Sequence, residues 1–325
     1  MLTKKRLALL TIAMTAIYFA LMLFLPESIV GARAEHRIMF ATKIGFLSIT
    51  AAIATSIILI LIFKRGFVSW QRTSFNRFKS YLRLLLKRDF ISRYRKSILG
   101  VLWSLLNPLL TMLVMTMVFS YLFRFQIENF PVYLLSGQII FSFFSESTTQ
   151  AMSSIIASEG VIKKVYVPKY IFPLSKVLSS LVNLMFSFIA FLLVFIVTGT
   201  QFRLTMLLLP IPIIYTFIFS LGVSMLLSSM AVFFRDLTYL YGVFLTLLMY
   251  LTPMFYPIEI LPEQMIPFMG FNPMYHFVDY VRSLALHGIV PDLWSNMVCI
   301  GFALAASSAG VYVFMSQQDK YILHL

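Results

Sequence analysis

Charge is scarce in this chain. Asp, Glu, Lys and Arg make up 12% of its 325 residues, while 60% are hydrophobic and mean hydropathy is +0.90. A soluble domain carries about 25% charged residues. Acids are the rarest, 12 against 26 bases, for a net charge of +14. One cysteine, Cys299, excludes an intrachain disulfide and a thiolate metal cluster and reads as a small packing residue. The four histidines (His36, His276, His287 and His324) are scattered, so no helical metal pair exists. A Gly-x-x-x-x-Gly-Lys-Ser/Thr phosphate loop is missing, since the nearest fragment, Gly160 to Lys164, lacks the spacing and the second glycine. No Gly-x-Ser-x-Gly elbow occurs. These absences exclude a soluble enzyme, a DNA-binding module and a disordered chain as whole-chain readings. They leave an all-α integral membrane protein with no catalytic, cofactor or metal residues of its own.

Long apolar runs are what it has. Eight are long enough to cross a bilayer, at about 7–25, 40–63, 99–123, 131–157, 172–198, 204–233, 238–256 and 295–315. The first follows Lys4, Lys5 and Arg6 but ends in Phe24-Leu25-Pro26-Glu27 without a small-x-small cleavage site, so it is expected to be retained. With both termini cytoplasmic, the inner segments collect twenty bases and the outer ones six. That bias sets the orientation. Eleven of the twenty lie between Lys64 and Lys96. Clusters beside spans suit topology and anionic lipid, so no nucleic-acid partner is expected.

The chain is expected to divide into a hairpin at 1–63, a basic amphipathic interface helix at 64–98 and a six-span domain at 99–325. In the basic stretch Phe75, Phe78, Leu82 and Leu85 recur at helical spacing, and Lys79, Arg83 and Lys87 form another face. Such a helix lies along the inner membrane surface, and Arg93, Arg95 and Lys96 end it. Intramembrane charge is nearly confined to Glu146, whereas proton-coupled transporters carry relays of buried ionisable groups. The energy for any transport is therefore expected from another subunit. Arg235 and Asp236, at the inner end of a long span, read as a pair that fixes a bend or an interface. Ser220, Ser224 and Ser228, and likewise Gly301, Ala305 and Ala309, form small-residue ridges for close helix approach. The outer segment 257–294 is punctuated by Pro257, Pro262, Pro267 and Pro273, with apolar stretches too short to cross between them. Within it His276, Asp279 and Arg282 are expected on one helical face by their three-residue spacing.

At the third span the chain reads Lys87-Arg88-Asp89-Phe90-Ile91-Ser92-Arg93-Tyr94-Arg95-Lys96-Ser97-Ile98-Leu99-Gly100, continuing to Asn107-Pro108. This resembles the permease subunit of type-2 ABC exporters for surface polysaccharides such as O-antigen, capsule and teichoic acid. Three further segments resemble the same family in the same order. They are Ile162-Lys163-Lys164-Val165-Tyr166-Val167-Pro168, Phe233-Phe234-Arg235-Asp236-Leu237, and Asn272-Pro273-Met274 through Arg282. The resemblance covers about residues 70–325; the hairpin at 1–63 departs from the usual six spans. It implies an interface helix carrying Arg88, Asp89, Arg93, Tyr94 and Arg95. It implies a coupling loop at about 158–171 with Glu159, Gly160, Lys163, Lys164, Tyr166 and Pro168, which docks in a groove of an ATPase. It also implies re-entrant gate helices at about 257–287, with Pro257, Pro262, Pro267, Asn272, Pro273, His276, Asp279 and Arg282. The partners implied are two ABC ATPase subunits that hold the Mg-ATP, a second copy of this chain, and a lipid-linked glycan moved outward across a bacterial inner membrane. Export of a drug or small lipid, or a membrane-embedded enzyme of lipid-linked sugars, stand as alternatives.

Overall fold

A computed structural model describes residues 65–95, 99–122, 127, 129–261 and 269–324. The hairpin at 1–63, Lys96, Pro262 and Pro267 lie outside the described residues. Among the described residues every regular element is helical. "Inner" and "outer" below follow the orientation set by the basic residues.

Helix α1 (Arg65–Tyr94) is the basic amphipathic element. Leu82 and Leu85 are buried and Lys79, Arg83 and Lys87 exposed, which is the division the spacing requires. Helix α2 (Leu102–Met117) contains Pro108 and runs into a π-helical turn at Val118–Leu122. Helix α3 (Phe130–Ala157) follows a left-handed Asn129, with Pro131 in its first turn. A single short turn, α4 (Glu159–Ile162), links it to α5 (Ile171–Val197). Helix α6 (Pro210–Phe233) is succeeded by the shorter α7 (Leu237–Leu251). Helix α8 (Pro273–Arg282) precedes α9 (Leu293–Gln317) and a last turn, α10 (Tyr321–His324).

Four helical stretches are long and apolar enough to cross a membrane: Leu102–Ser120, Ile171–Val197, Leu204–Phe233 and Leu293–His324. Helix α3 is not among them despite its 28 residues, because Gln138, Ser142, Ser145, Glu146, Thr149 and Gln150 dilute its apolar surface. Helix α7 has 15 residues rather than the nineteen of the apolar run at 238–256. Pro253 explains the difference. A proline pushes the residue before it out of the helical region, and Thr252 is extended, with ψ 122°.

Two cores hold the bundle. The outer one gathers Phe130, Phe143, Phe144, Phe191, Phe195, Phe219 and Phe277 from α3, α5, α6 and α8. The inner one joins Leu82 and Leu85 of α1 to Ile155, Ile162, Val167, Phe172, Val232, Phe314 and Tyr321. Helices α6 and α9 pack most extensively. A Cβ on Gly222 would collide with the backbone of Ala306 and Ser307, and one on Gly310 with the carbonyl of Gly222. The close crossing thus uses Gly222, Ala306 and Gly310, whereas Ala309 is exposed. The contact face of α9 is turned from the one expected, because small residues occur on several of its faces.

Candidate functional site

The segment expected to be a coupling loop is a projecting tip on a fixed base. Ile162, Val167 and Pro168 are buried on either side of it. Lys163, Lys164, Val165 and Tyr166 are exposed between them, Tyr166 at 78%. Lys163 Nζ donates to Glu159 Oε1 over 2.6 Å. That hydrogen bond, with Arg235 adding its positive charge nearby, holds the Glu159 carboxyl below the usual carboxylate range. Gly160 faces open space. The base is tied to the chain's end: Lys169 Nζ donates to the Gln318 carbonyl at 2.5 Å and lies over the Tyr321 ring. Burial pushes the Lys169 ammonium below its ordinary value. Arg235 and Asp236 are both exposed in the bend between α6 and α7, and among the described residues they form no ion pair with each other. The charge of Arg235 acting on Glu159 puts the bend near the tip.

Helix α1, expected to be an interface helix, is pinned to three helices by its last turns. Asp89 accepts from Lys176 Nζ of α5 at 2.7 Å and pairs with the exposed Arg88 at 3.2 Å. Tyr94 shares a 2.6 Å hydrogen bond with Ser104 of α2. Arg93 forms an ion pair with Glu146 in the middle of α3. Glu146 also accepts from Gln150 at 2.9 Å and from Asn183 of α5 at 2.8 Å. Arg95 is exposed and joins none of these ion pairs.

Around that network lies a cavity of about 520 Å3, lined by Arg93, Tyr94, Trp103, Ser104, Asn107, Gln138, Ser142, Ser145, Glu146, Asn183 and Ser187 among others. In the sequence Arg93 and Tyr94 stand out as interface-helix residues and Glu146 as a lone intramembrane acid, with nothing to join them. Fifty-three positions separate Arg93 from Glu146. The signal was the acid itself, since a carboxylate at membrane depth requires a partner.

At the outer end Arg282 is buried, at 5% exposure. Its guanidinium donates to the carbonyls of Pro253 (2.7 Å), Met254 (3.2 Å) and Tyr133 (3.4 Å) and lies 3.5 Å from the centre of the Tyr133 ring. Those carbonyls belong to backbone unwound after α7 and to the start of α3. Tyr133 Oη donates to the same segment, at Pro253 and Tyr256. Pro257 precedes a single 3-10 turn, Ile258–Ile260. Asn272 caps α8 by accepting from Met274 and Tyr275 amides, and its amide reaches Thr252 Oγ1 at 3.0 Å. Pro273 occupies the first helical turn, where a missing N–H costs nothing.

Asp279 and Arg282 line an outer cavity of about 590 Å3 with Tyr133, Arg203 and His287. His276 does not line it. Its Nε2 meets the Gly270 carbonyl at 2.9 Å and its ring packs near Phe302. At 100° per residue a six-residue separation turns the side chain by about 120°, so three-residue spacing does not hold all three on one face.

A sequence model of the family described as ABC-2 type transporter matches residues 80–286. The chain is 30% identical over 234 residues to the O-antigen export system permease protein RfbA of Klebsiella pneumoniae, covering 70% of this chain and 89% of that protein. It is 27% identical over 247 residues to the RfbA protein of Myxococcus xanthus (75% and 95%). With the polysialic acid transport protein KpsM of Escherichia coli it shares 24% over 258 residues (77% and 98%).

Proposed function

The chain belongs to the ABC-2 type transporter family of inner-membrane permeases, and we propose that it is the membrane subunit of an ATP-driven exporter of a lipid-linked cell-surface polysaccharide resembling O-antigen. In this reading the glycan moves outward across the cytoplasmic membrane. Two copies of the chain enclose the path, and two copies of a separate ABC ATPase bind and hydrolyse Mg-ATP. The chain carries no chemistry of its own.

The observation that carries the reading is the shared inner core. The exposed tip at Lys163–Tyr166 stands on Ile162 and Val167, which pack with Leu82 and Leu85 of the interface helix and Phe314 near the chain's end. A push on a short, rigid tip is delivered to several inner helix ends at once, because packed cores shift between discrete arrangements rather than yield smoothly. An ion-driven carrier would instead rely on buried ionisable relays, and intramembrane charge here is nearly confined to Glu146. The relatives named for O-antigen and polysialic acid supply the substrate class.

The test is genetic and biochemical. Deleting the gene is expected to abolish surface glycan while lipid-linked glycan accumulates inside, and the tagged chain is expected to co-purify with an ABC ATPase. Unchanged surface glycan in the deletion strain sinks the substrate assignment. Hydrolysis of ATP by the chain alone sinks the assignment of subunits.

A further inference from the structure

Helix α3 carries a polar stripe that one chain does not cover. Gln138, Ser142, Ser145, Thr149 and Ser153 recur along it at three- and four-residue spacing, and Ser142, Thr149 and Ser153 are exposed. Ser145 and Ser153 donate to the Ser142 and Gln150 carbonyls of the same helix, and the other polar groups of the stripe belong against protein or water, since lipid offers them no partner. The stripe rises from the inner end of α3 and stops at Gln138, in the wall of the cavity beside Arg93 and Glu146.

That cavity is polar but electrically balanced. Its acid is committed to Arg93, Gln150 and Asn183, so a charged ligand would find its counter-ion already taken. Gln138 is only partly buried and lines the wall with its side chain, although its amide oxygen is itself covered. Pro108 has no N–H to give the Ser104 carbonyl one turn earlier in α2, and both residues line the same space. Asn107 adds an amide and the half-exposed Trp103 a flat aromatic face. The volume, about 520 Å3, falls in the ~300–1,000 Å3 range of small-ligand sites. An uncharged ring with hydroxyls at its rim and C–H groups on its faces satisfies amides and stacks on indole together. A sugar has that shape.

We propose that this cavity is a binding subsite for one uncharged sugar unit of the exported glycan, whose hydroxyls bond Gln138 and Asn107 while its ring stacks on Trp103. This rests on the glycan-export reading above and adds where, on a single chain, the polymer is held. The polar stripe of α3 is the track leading to it from the inner side.

The experiment uses the full complex in cells. In a Cys299→Ser background, Ser142→Cys is treated with N-ethylmaleimide while transport is stalled by an ATPase-inactive partner. Labelling is expected to be at least fivefold slower in cells that make the native glycan than in cells lacking its glycosyltransferases. An equal rate, fast or slow, overturns the subsite, the slow case meaning that lipid or protein fills the cavity. In parallel, combined Gln138→Leu and Trp103→Leu is expected to cut surface glycan at least tenfold while the chain still co-purifies with its ATPase, with Gln138→Asn restoring part of it. Full export by the double variant also overturns the subsite. If deleting the whole chain leaves surface glycan intact, it is the export reading that fails instead.

Discussion

The two ends of the bundle secure their irregular segments by different chemistry. From the inner end to mid-depth, charge meets charge: Asp89 with Lys176 and Arg93 with Glu146 between helices, and Glu159 with Lys163 within one turn. At the outer end arginine meets backbone: Arg282 gathers the carbonyls of Pro253, Met254 and Tyr133, and Arg203 reaches that of His287. Side-chain pairs between separate helices can part and re-form as the helices shift. Carbonyls freed by an unwound helix at membrane depth have no second option. The inner contacts can therefore be exchanged as helices shift, while the outer ones hold one shape.

The sharpest way to break this contrast is Arg282→Ala. It strands buried carbonyls that had charged donors, each such bond contributing about 1.5–3 kcal/mol. The purified variant is expected to lose about 3 kcal/mol or more of stability, read as a large fall in thermal midpoint in detergent. Arg282→Lys recovers less than half, because an ammonium cannot spread over three acceptors as a guanidinium fork does. A variant as stable as the parent would remove the outer clamp from the account.

Next comes Glu146→Leu, which leaves Arg93 without its carboxylate. Breaking such a pair from one side costs about 3–5 kcal/mol when fully buried; here both side chains are partly exposed, so about 1–2 kcal/mol is expected. Arg93→Met in the same chain should return most of it. If single and double variants are equally stable, the two residues are neighbours and not partners.

Reversing Lys163 and Lys164 to Glu addresses the tip. Topology retains the bases of α1, and neither lysine is buried. Co-purified ATPase is expected to fall at least tenfold, about 1.4 kcal/mol, with the thermal midpoint unchanged. Retained association would make the loop a mere connector.

Smallest is a pair of glycines. Gly137→Ala puts a methyl 3.2 Å from the Arg282 guanidinium and 3.3 Å from Met254 and Val278, and a cost of about 1 kcal/mol is expected from such overpacking. Gly160→Ala meets nothing within 4 Å and should be neutral or stabilising by about 0.5–1 kcal/mol. Equal effects in the two would erase the difference between a rigid end and an open one.

How much of this was legible in the sequence follows from how local each signal is. The apolar runs at 131–157 and 204–233 end within a residue of the helices seen at Phe130–Ala157 and Leu204–Phe233, since hydropathy needs only neighbours in the chain. The amphipathic division of α1 was legible for the same reason. The end of α7 was encoded in Pro253 but masked by the apolar Met254, Phe255 and Tyr256 around it. Contacts across the fold were not legible. Nothing near Gln138 in sequence tells that Trp103 and Asn107 will face it, and nothing near Arg282 tells that its acceptors lie 28 residues or more upstream.

The shortness of α7 has a consequence for the bilayer itself. Its 15 residues rise only about 22 Å, against roughly 30 Å of hydrocarbon. The lipid beside it must dimple to match, or the unwound stretch at Thr252–Tyr256 must make up the remainder from inside the protein. Met254 and Phe255 are buried, and the carbonyls there are held by Arg282 and Tyr133, so the protein makes up part of the depth.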